Sequence, residues 1–235
     1  MKTIRITGAL INASAILVGG GIGLLFKGKI SEKISENITR AIGLSICIIG
    51  ISGALKGDIM LLVVSLALGT VIGELINIDG GLNKLGLWLQ KKLSRNDARS
   101  TFAEGFVAAT LLFCVGAMAI VGSIDSGLRN DQSIIITKSI LDGVTSIVFA
   151  SSMGFGVLFS AGAILIYQGS IEIFAGYLQN ILTNELVTQI SSVGGVLIMA
   201  IGFNMVLNVK IKVANLLPGL LVAVGYYYLF IKVGR

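Results

Sequence analysis

The sequence predicts an all-α membrane protein, a polytopic bundle of about seven transmembrane helices with internal parallel repeats and short amphipathic interfacial helices. Three observations carry that prediction. Of the 235 residues, 54% are hydrophobic and only 13% are charged, about half the charge of an ordinary soluble domain, so a water-soluble globule could not cover its surface with solvated side chains. The mean hydropathy is +0.93. The apolar residues also gather into runs of about 20, the length that crosses the hydrocarbon core as a helix.

A water-soluble enzyme is thereby excluded. The chain has no histidine, hence no imidazole base and no His-containing zinc or haem site. Cys47 and Cys114 stand alone in apolar runs and form neither a disulfide framework nor a CxxC motif. No cofactor is expected. No paired carboxylates, Ser/Lys dyad or metal-ligand cluster appears within the spans, so no enzymatic activity is expected either. The net charge of +6 comes from lysines and arginines between the apolar runs, without interleaved aromatics. That pattern suits contact with anionic headgroups and argues against nucleic acid. The expected partners are membrane lipids and a small solute or ion.

In chain order, spans are predicted at 7–26, 38–55, 59–78, 102–122, 145–167, 189–207 and 213–232. The first follows Lys2 and Arg5 as a signal peptide would. It is long for an h-region, however, and Leu25-Phe26-Lys27 offers no small-residue cleavage site, so it is read as a retained span. The fifth is ambiguous, because residues 133–167 run without a strong break and would extend about 52 Å as one helix. Either 133–144 is a separate interfacial helix, the preferred reading, or the region is a re-entrant hairpin turning around Ser151-Ser152-Met153-Gly154-Phe155-Gly156. In the last span Pro218 predicts a kink, since it removes the bond to the Ala214 carbonyl. Tyr226-Tyr227-Tyr228 and Trp88 read as interfacial aromatics.

The spans resemble one another. The segments around Gly50, Gly116 and Gly202 align, and small-xxx-small pairs recur at Gly19/Gly23, Gly69/Gly73, Gly156/Ser160 and Gly219/Ala223. Such pairs let membrane helices approach closely; they suit a homo-oligomer as well as packing within one chain. Three linkers carry an apolar stripe at helical spacing: Ile30, Ile34, Ile38 and Ile42; Leu82, Leu85, Leu89 and Leu93; Ile171, Phe174, Leu178 and Leu182. The chain is therefore read as a single transmembrane domain of repeat units 7–55, 59–122 and 133–207 plus a final helix, 213–232. Parallel repeats of this kind recur among transporters. Lys and Arg number eleven on the side of the first two linkers and seven on the other, which predicts cytoplasmic linkers, an external N-terminus and an internal C-terminus.

Polar groups at membrane depth are the candidate site, because a charge at the bilayer centre costs at least about 2.5–3.5 kcal/mol on insertion scales. Asp142 is the leading candidate, with Ser146, Ser151 and Ser152 following it. Oxygen ligation of a small cation or a proton relay is the chemistry this set suits; an N-cap for the next span is the alternative role for Asp142. Lys138 lies four residues before it, at helical pairing distance. Asn12 and Asn204 need hydrogen-bond partners in lipid and are candidates to line the same site. Glu74 reads as an interfacial carboxylate. Gly19-Gly20-Gly21-Ile22-Gly23 reads as tight packing or as an unwound segment. Ser65, Ser152 and Asn215 fall at a similar depth in the aligned spans.

Over nearly its full length the chain resembles the YdfK/YqgA-like family of uncharacterised bacterial membrane proteins, a domain of unknown function. The residues carrying the likeness are Gly8-Ala9-Leu10-Ile11-Asn12, the stretch 69–74, Gly122-Ser123-Ile124-Asp125-Ser126-Gly127-Leu128, Lys138-Ser139-Ile140-Leu141-Asp142-Gly143 and Phe155-Gly156-Val157-Leu158-Phe159-Ser160. The resemblance implies a multi-pass protein of the bacterial inner membrane with a transport-related role, and it supplies no substrate or catalytic residue. From the residues themselves, the expectation is a transporter or channel for a small solute or ion, with a membrane scaffold or envelope-signalling protein as the alternative.

Overall fold

The long apolar runs fold as helices, and three of the helices end at an asparagine with a left-handed backbone. The computed structural model describes residues 6–27, 32–93 and 102–231. In chain order its helices are α1 (Thr7–Phe26), α2 (Glu32–Ala54), α3 (Ile59–Ile76), α4 (Ile78–Leu93), α5 (Phe102–Cys114), α6 (Ala117–Arg129), α7 (Ser133–Met153), α8 (Gly156–Ile181), α9 (Asn184–Leu207) and α10 (Pro218–Tyr226). A 3-10 turn, Val213–Leu216, leads into α10 and a π turn, Tyr227–Ile231, follows it. No strand occurs among the described residues. Asn77, Asn130 and Asn208 terminate α3, α6 and α9 at φ of 55°, 57° and 53°, a region asparagine tolerates better than most residues.

Among the described residues six stretches are long and apolar enough to cross a membrane: α1, α3, α7, α8, α9 and 213–231. The α5–α6 pair, bent by 63°, makes a seventh if it is one span, and α2 holds a shorter apolar segment, Thr39–Ala54. The bend falls at Gly116, whose φ of +140° is open to glycine alone at low cost.

Residues 133–167 resolve differently from both sequence readings. Ser133–Met153 is one continuous helix long enough to span, not an interfacial helix followed by a span. Gly154, at φ +80°, breaks the chain where the hairpin reading put its turn. Instead of re-entering, the chain starts a second spanning helix, Gly156–Ile181. The expected linker helix around Ile171 is simply the end of α8. The helix runs through this stretch without a break, with Ile171 buried and Phe174 exposed. The first linker likewise runs on into α2, although Ile30 lies outside the described residues. Of the three expected linker helices, α4 alone is a separate helix among the described residues, with Trp88 exposed.

The described residues cluster into two compact units, each assembled from distant segments: Met1–Ser35 with Leu85–Thr183, and Glu36–Lys84 with Asn184–Arg235. In the first unit α1 runs parallel to α7 and antiparallel to α8. A Cβ on Gly19 or Gly23 would meet the backbone carbonyls of Gly143 and Ile147, so the glycine run is regular helix in close contact and not an unwound segment. The α5–α6 pair descends along α8, from the Phe102 carbonyl against Gly156 to Gly127 against Glu172 and Ala175. Phe102 meets Phe159 edge-on at 5.2 Å between ring centroids.

In the second unit Gly43, Gly50 and Gly53 of α2 lie against α9 at Gly202 and Gly195. Gly69 and Gly73 of α3 lie against Gly219 and Asn215. Gly50 and Gly202 thus sit inside helices at a crossing, whereas Gly116 breaks one. Pro218 is the first residue of α10, and the last span is jointed there as expected. Asn215, just before it, accepts the Asp79 N–H through Oδ1 at 2.7 Å and caps α4. Gln189 Oε1 accepts the Asp58 N–H in the same manner at 2.8 Å. Tyr227, expected as an interfacial aromatic, is buried and donates to Glu185 at 3.1 Å. Glu74 pairs with Lys212 at 3.2 Å on the surface of this unit.

Candidate functional site in the first helical unit

The buried stripe of α7 runs through Ile135, Lys138, Ser139, Asp142, Ser146, Phe149, Ala150 and Met153, the helical i, i+3/i+4 spacing. Its start is fixed outside the span, where Asp131 Oδ1 accepts the Ser133 hydroxyl at 2.6 Å and amide at 3.0 Å. These two bonds hold the Asp131 carboxyl below its usual range. This cap therefore operates above the ordinary carboxylate range and is lost as pH falls through the lowered value. On α1 the facing stripe is Gly8, Asn12, Ile16, Gly19 and Gly23, small enough to bring the two backbones together.

That close approach creates a buried polar cluster. Asn12 and Gln168 are 0% exposed, Lys138 6% and Asp142 7%. The Lys138 ammonium pairs with Asp142 Oδ2. Asn12 Nδ2 donates to the same oxygen at 2.9 Å and to Gln168 Oε1 at 3.1 Å. An ionised carboxylate only accepts, so Asp142 requires Asn12 to present its NH2. That group in turn requires Gln168 to present its oxygen. The orientation of the chain Lys138–Asp142–Asn12–Gln168 is thus set by charge. Asp142 lies inside α7 and cannot serve as the N-cap of a later span.

Ser146 lies one turn beyond Asp142 and shares its hydroxyl between the carbonyls of Gly143 (2.8 Å) and Ile16 (3.2 Å). Ser151 and Ser152 donate to carbonyls of their own helix, at Val148 and Phe149. Asn204 belongs to the second unit, where its Oδ1 accepts the Ile211 N–H and its Nδ2 donates to the Ile211 carbonyl, each at 2.9 Å. It closes the turn after α9. Ser65 and Asn215 are also in the second unit, apart from Ser152 in the first.

Two groups of this region escaped the sequence reading, Gln168 and Glu172. Both lay beyond the predicted end of the fifth span at Tyr167. Their i, i+4 spacing beside Ile164 and Ile171 was the available signal, since it puts two polar groups on the buried face of a continued helix. Glu172 is 3% exposed and accepts the backbone N–H groups of Ala9 at 2.6 Å and Gly8 at 3.3 Å. It caps α1 from another helix, with negative charge at the positive end of the helix dipole. No cluster of three His, Cys, Asp or Glu able to hold a metal occurs among the described residues.

An all-helical chain with this many apolar helices and a polar cluster sealed inside one unit is a multi-pass membrane protein. It belongs to the family described as "Protein of unknown function (DUF554)", which matches residues 7–228. Among curated proteins it is similar to the "Uncharacterized membrane protein YdfK" of Bacillus subtilis (strain 168), 35% identical over 92% of this chain and 93% of that one. It is similar also to the "Uncharacterized protein YqgA" of Escherichia coli (strain K12), 32% identical over 93% of this chain and 94% of that one. No solved structure matches it.

Proposed function

We propose that this protein is a transporter of a small solute or ion in the bacterial cytoplasmic membrane, with Asp142 at the centre of its binding site. The observation that carries this reading is the buried chain Lys138–Asp142–Asn12–Gln168, which joins α1, α7 and α8. Holding charge at membrane depth is expensive, and well-packed apolar residues usually replace a buried ion pair with no loss of stability. Adhesion between helices alone does not call for such a pair.

In this mechanism the Lys138 ammonium is the resident counter-ion of Asp142. A proton or a substrate cation competes with Lys138 for the carboxylate, while Asn12 and Gln168 keep the remaining polar atoms in register. The close glycine contact of α1 with α7 supplies a surface along which one helix shifts past the other. Ser146 bridges α7 to α1 and stays with the site; Ser151, Ser152 and Asn204 are dispensable for it.

The test is a thermal-stability screen of the detergent-purified protein against ions, amino acids, organic acids and metabolites. A ligand at 100 times its dissociation constant stabilises by about 2.7 kcal/mol. A hit that Asp142→Asn removes supports the reading, and a flat screen on folded protein contradicts it. The second reading, a membrane scaffold, rests on the separate amphipathic helix α4 with exposed Trp88 and Lys84. It predicts that Lys84→Glu weakens binding to anionic vesicles while Asp142→Asn leaves that binding unchanged.

A further inference from the structure

The first unit holds a second buried carboxylate, Glu172, which none of the ion pairs among the described residues includes. It sits one helical turn from Gln168, and Gly8, which it caps, sits one turn from Asn12. Three oxygens converge beside Gly8: a Cβ built there would lie 2.8 Å from Glu172 Oε1 and 2.9 Å from both Gln132 Oε1 and Ser126 Oγ. Ser126 is 1% exposed, and its hydroxyl faces the Glu172 carboxylate. Neither amide atom of Gln132 has a hydrogen-bond partner. Deeper in the unit, Gln168 Nε2 and Asn12 Oδ1 are buried and unpartnered as well. Native interiors leave few such groups unpaired, and a polar space bordered by several of them is where water is held.

These groups fall in sequence from the 130–132 turn to the ion pair: Gln132, then Ser126 with Glu172, then Gln168, then Asn12, then Asp142. Gly8 gives the first of these steps its room. We propose that Glu172 is a second protonation station, and that this polar file carries protons between the 130–132 face and Asp142. The ion moved or coupled is then a proton rather than a metal cation. The proposal deepens the transport reading and rests on it.

The steps balance without a further reactant. A hydronium ion at the 130–132 face gives its proton to the Glu172 carboxylate, leaving water and a neutral carboxylic acid. That acid passes the proton through water held by the Gln168 and Asn12 amides to Asp142 and returns to carboxylate. Protonated Asp142 no longer attracts Lys138, and the pair opens. From α1, Glu172 meets only backbone N–H groups. From α6 it meets Ser126, with the Asp125–Arg129 pair (2.8 Å) on the same helix; Asp131 lies at the mouth. Lys138 and Asp142 of α7 interact electrostatically with Cys114 of α5, and Cys114 with Tyr167 of α8.

The test uses the full chain in vesicles containing a pH-sensitive dye, with a pH gradient imposed across the membrane. The wild-type protein is expected to carry protons, and Glu172→Gln to lose that flux. Gln132→Leu leaves the bonds from Gly8 and Ala9 to Glu172 untouched; it is expected to slow the flux in a protein that melts as the wild type does. This covers the case in which Glu172→Gln fails to fold. Glu74→Gln, in the other unit, is the control and is expected to change nothing. Solute flux that ignores the pH gradient and survives Gln132→Leu overturns the proton file and leaves the transport reading standing. A folded protein that moves neither protons nor any stabilising solute overturns both.

Discussion

Asp142 and Lys138 neutralise each other, so their separate removal and their joint removal differ in consequence. Asp142→Asn leaves the Lys138 ammonium buried without its counter-ion, which costs about 3–5 kcal/mol and lowers the thermal midpoint accordingly. The double variant Lys138→Met/Asp142→Leu removes both charges, and its midpoint is expected to return close to that of the wild type. Thermal unfolding of the single and double variants in detergent checks this; a double variant less stable than Asp142→Asn contradicts the pairing. At this scale the sequence was partly informative. Asp142 and Asn12 stood out because a charge or an amide in an apolar run demands a partner, and helical spacing supplied Lys138. The hydroxyls of Ser151 and Ser152 bond carbonyls of their own helix, as a serine in a helix readily does with the carbonyl three or four residues back. Gln168 and Glu172 were missed because their span was ended too soon.

At the scale of the element, glycine governs contact. Gly19 and Gly23 oppose backbone carbonyls of α7, whereas nothing lies within 4 Å of a Cβ on Gly21. Gly23→Leu is therefore expected to force α1 from α7 and to lower stability sharply. Gly21→Ala is expected to be neutral or to stabilise by up to about 1 kcal/mol, the helix preference for alanine. Melting of the two variants side by side checks the contact face, and equal effects would show it misassigned. Span existence was legible from hydropathy, and α1 begins and ends where it was predicted. Span boundaries were not legible at 133–181, because a glycine turn such as Gly154-Phe155 carries no polar signal while the apolar residues continue on both sides. Nor did the alignment of Gly50, Gly116 and Gly202 foresee their roles. Gly116 adopts a positive φ and breaks a helix; the other two pack inside helices.

For the whole molecule, splitting 133–181 into two crossings changes the parity of the chain. If α2, whose apolar segment Thr39–Ala54 is shorter than a full span, and the α5–α6 pair each cross the membrane, the segments after Gly154 exchange sides, and both termini are expected on the face opposite the α4 linker. Lys210 and Lys212 join the linker side, and Lys138 drops out as a buried partner of Asp142. Basic residues then number eleven against six, and cytoplasmic linkers are the expected arrangement. Reporter fusions at the N- and C-terminus are expected to lie on the same, external face; opposite faces would restore the seven-span topology. The buried ion pair, the glycine contact face and the polar groups beside Gly8 all lie within the first unit.

The most direct measurement is solute flux into vesicles, using the ligand that the stability screen returns, for the wild-type protein and the Lys138→Met/Asp142→Leu variant. The two proteins are expected to melt alike, so any difference in flux reports function and not folding. The account predicts transport by the wild type and none by the variant. Equal flux through both would contradict it, because the buried pair would then have no part in moving the solute.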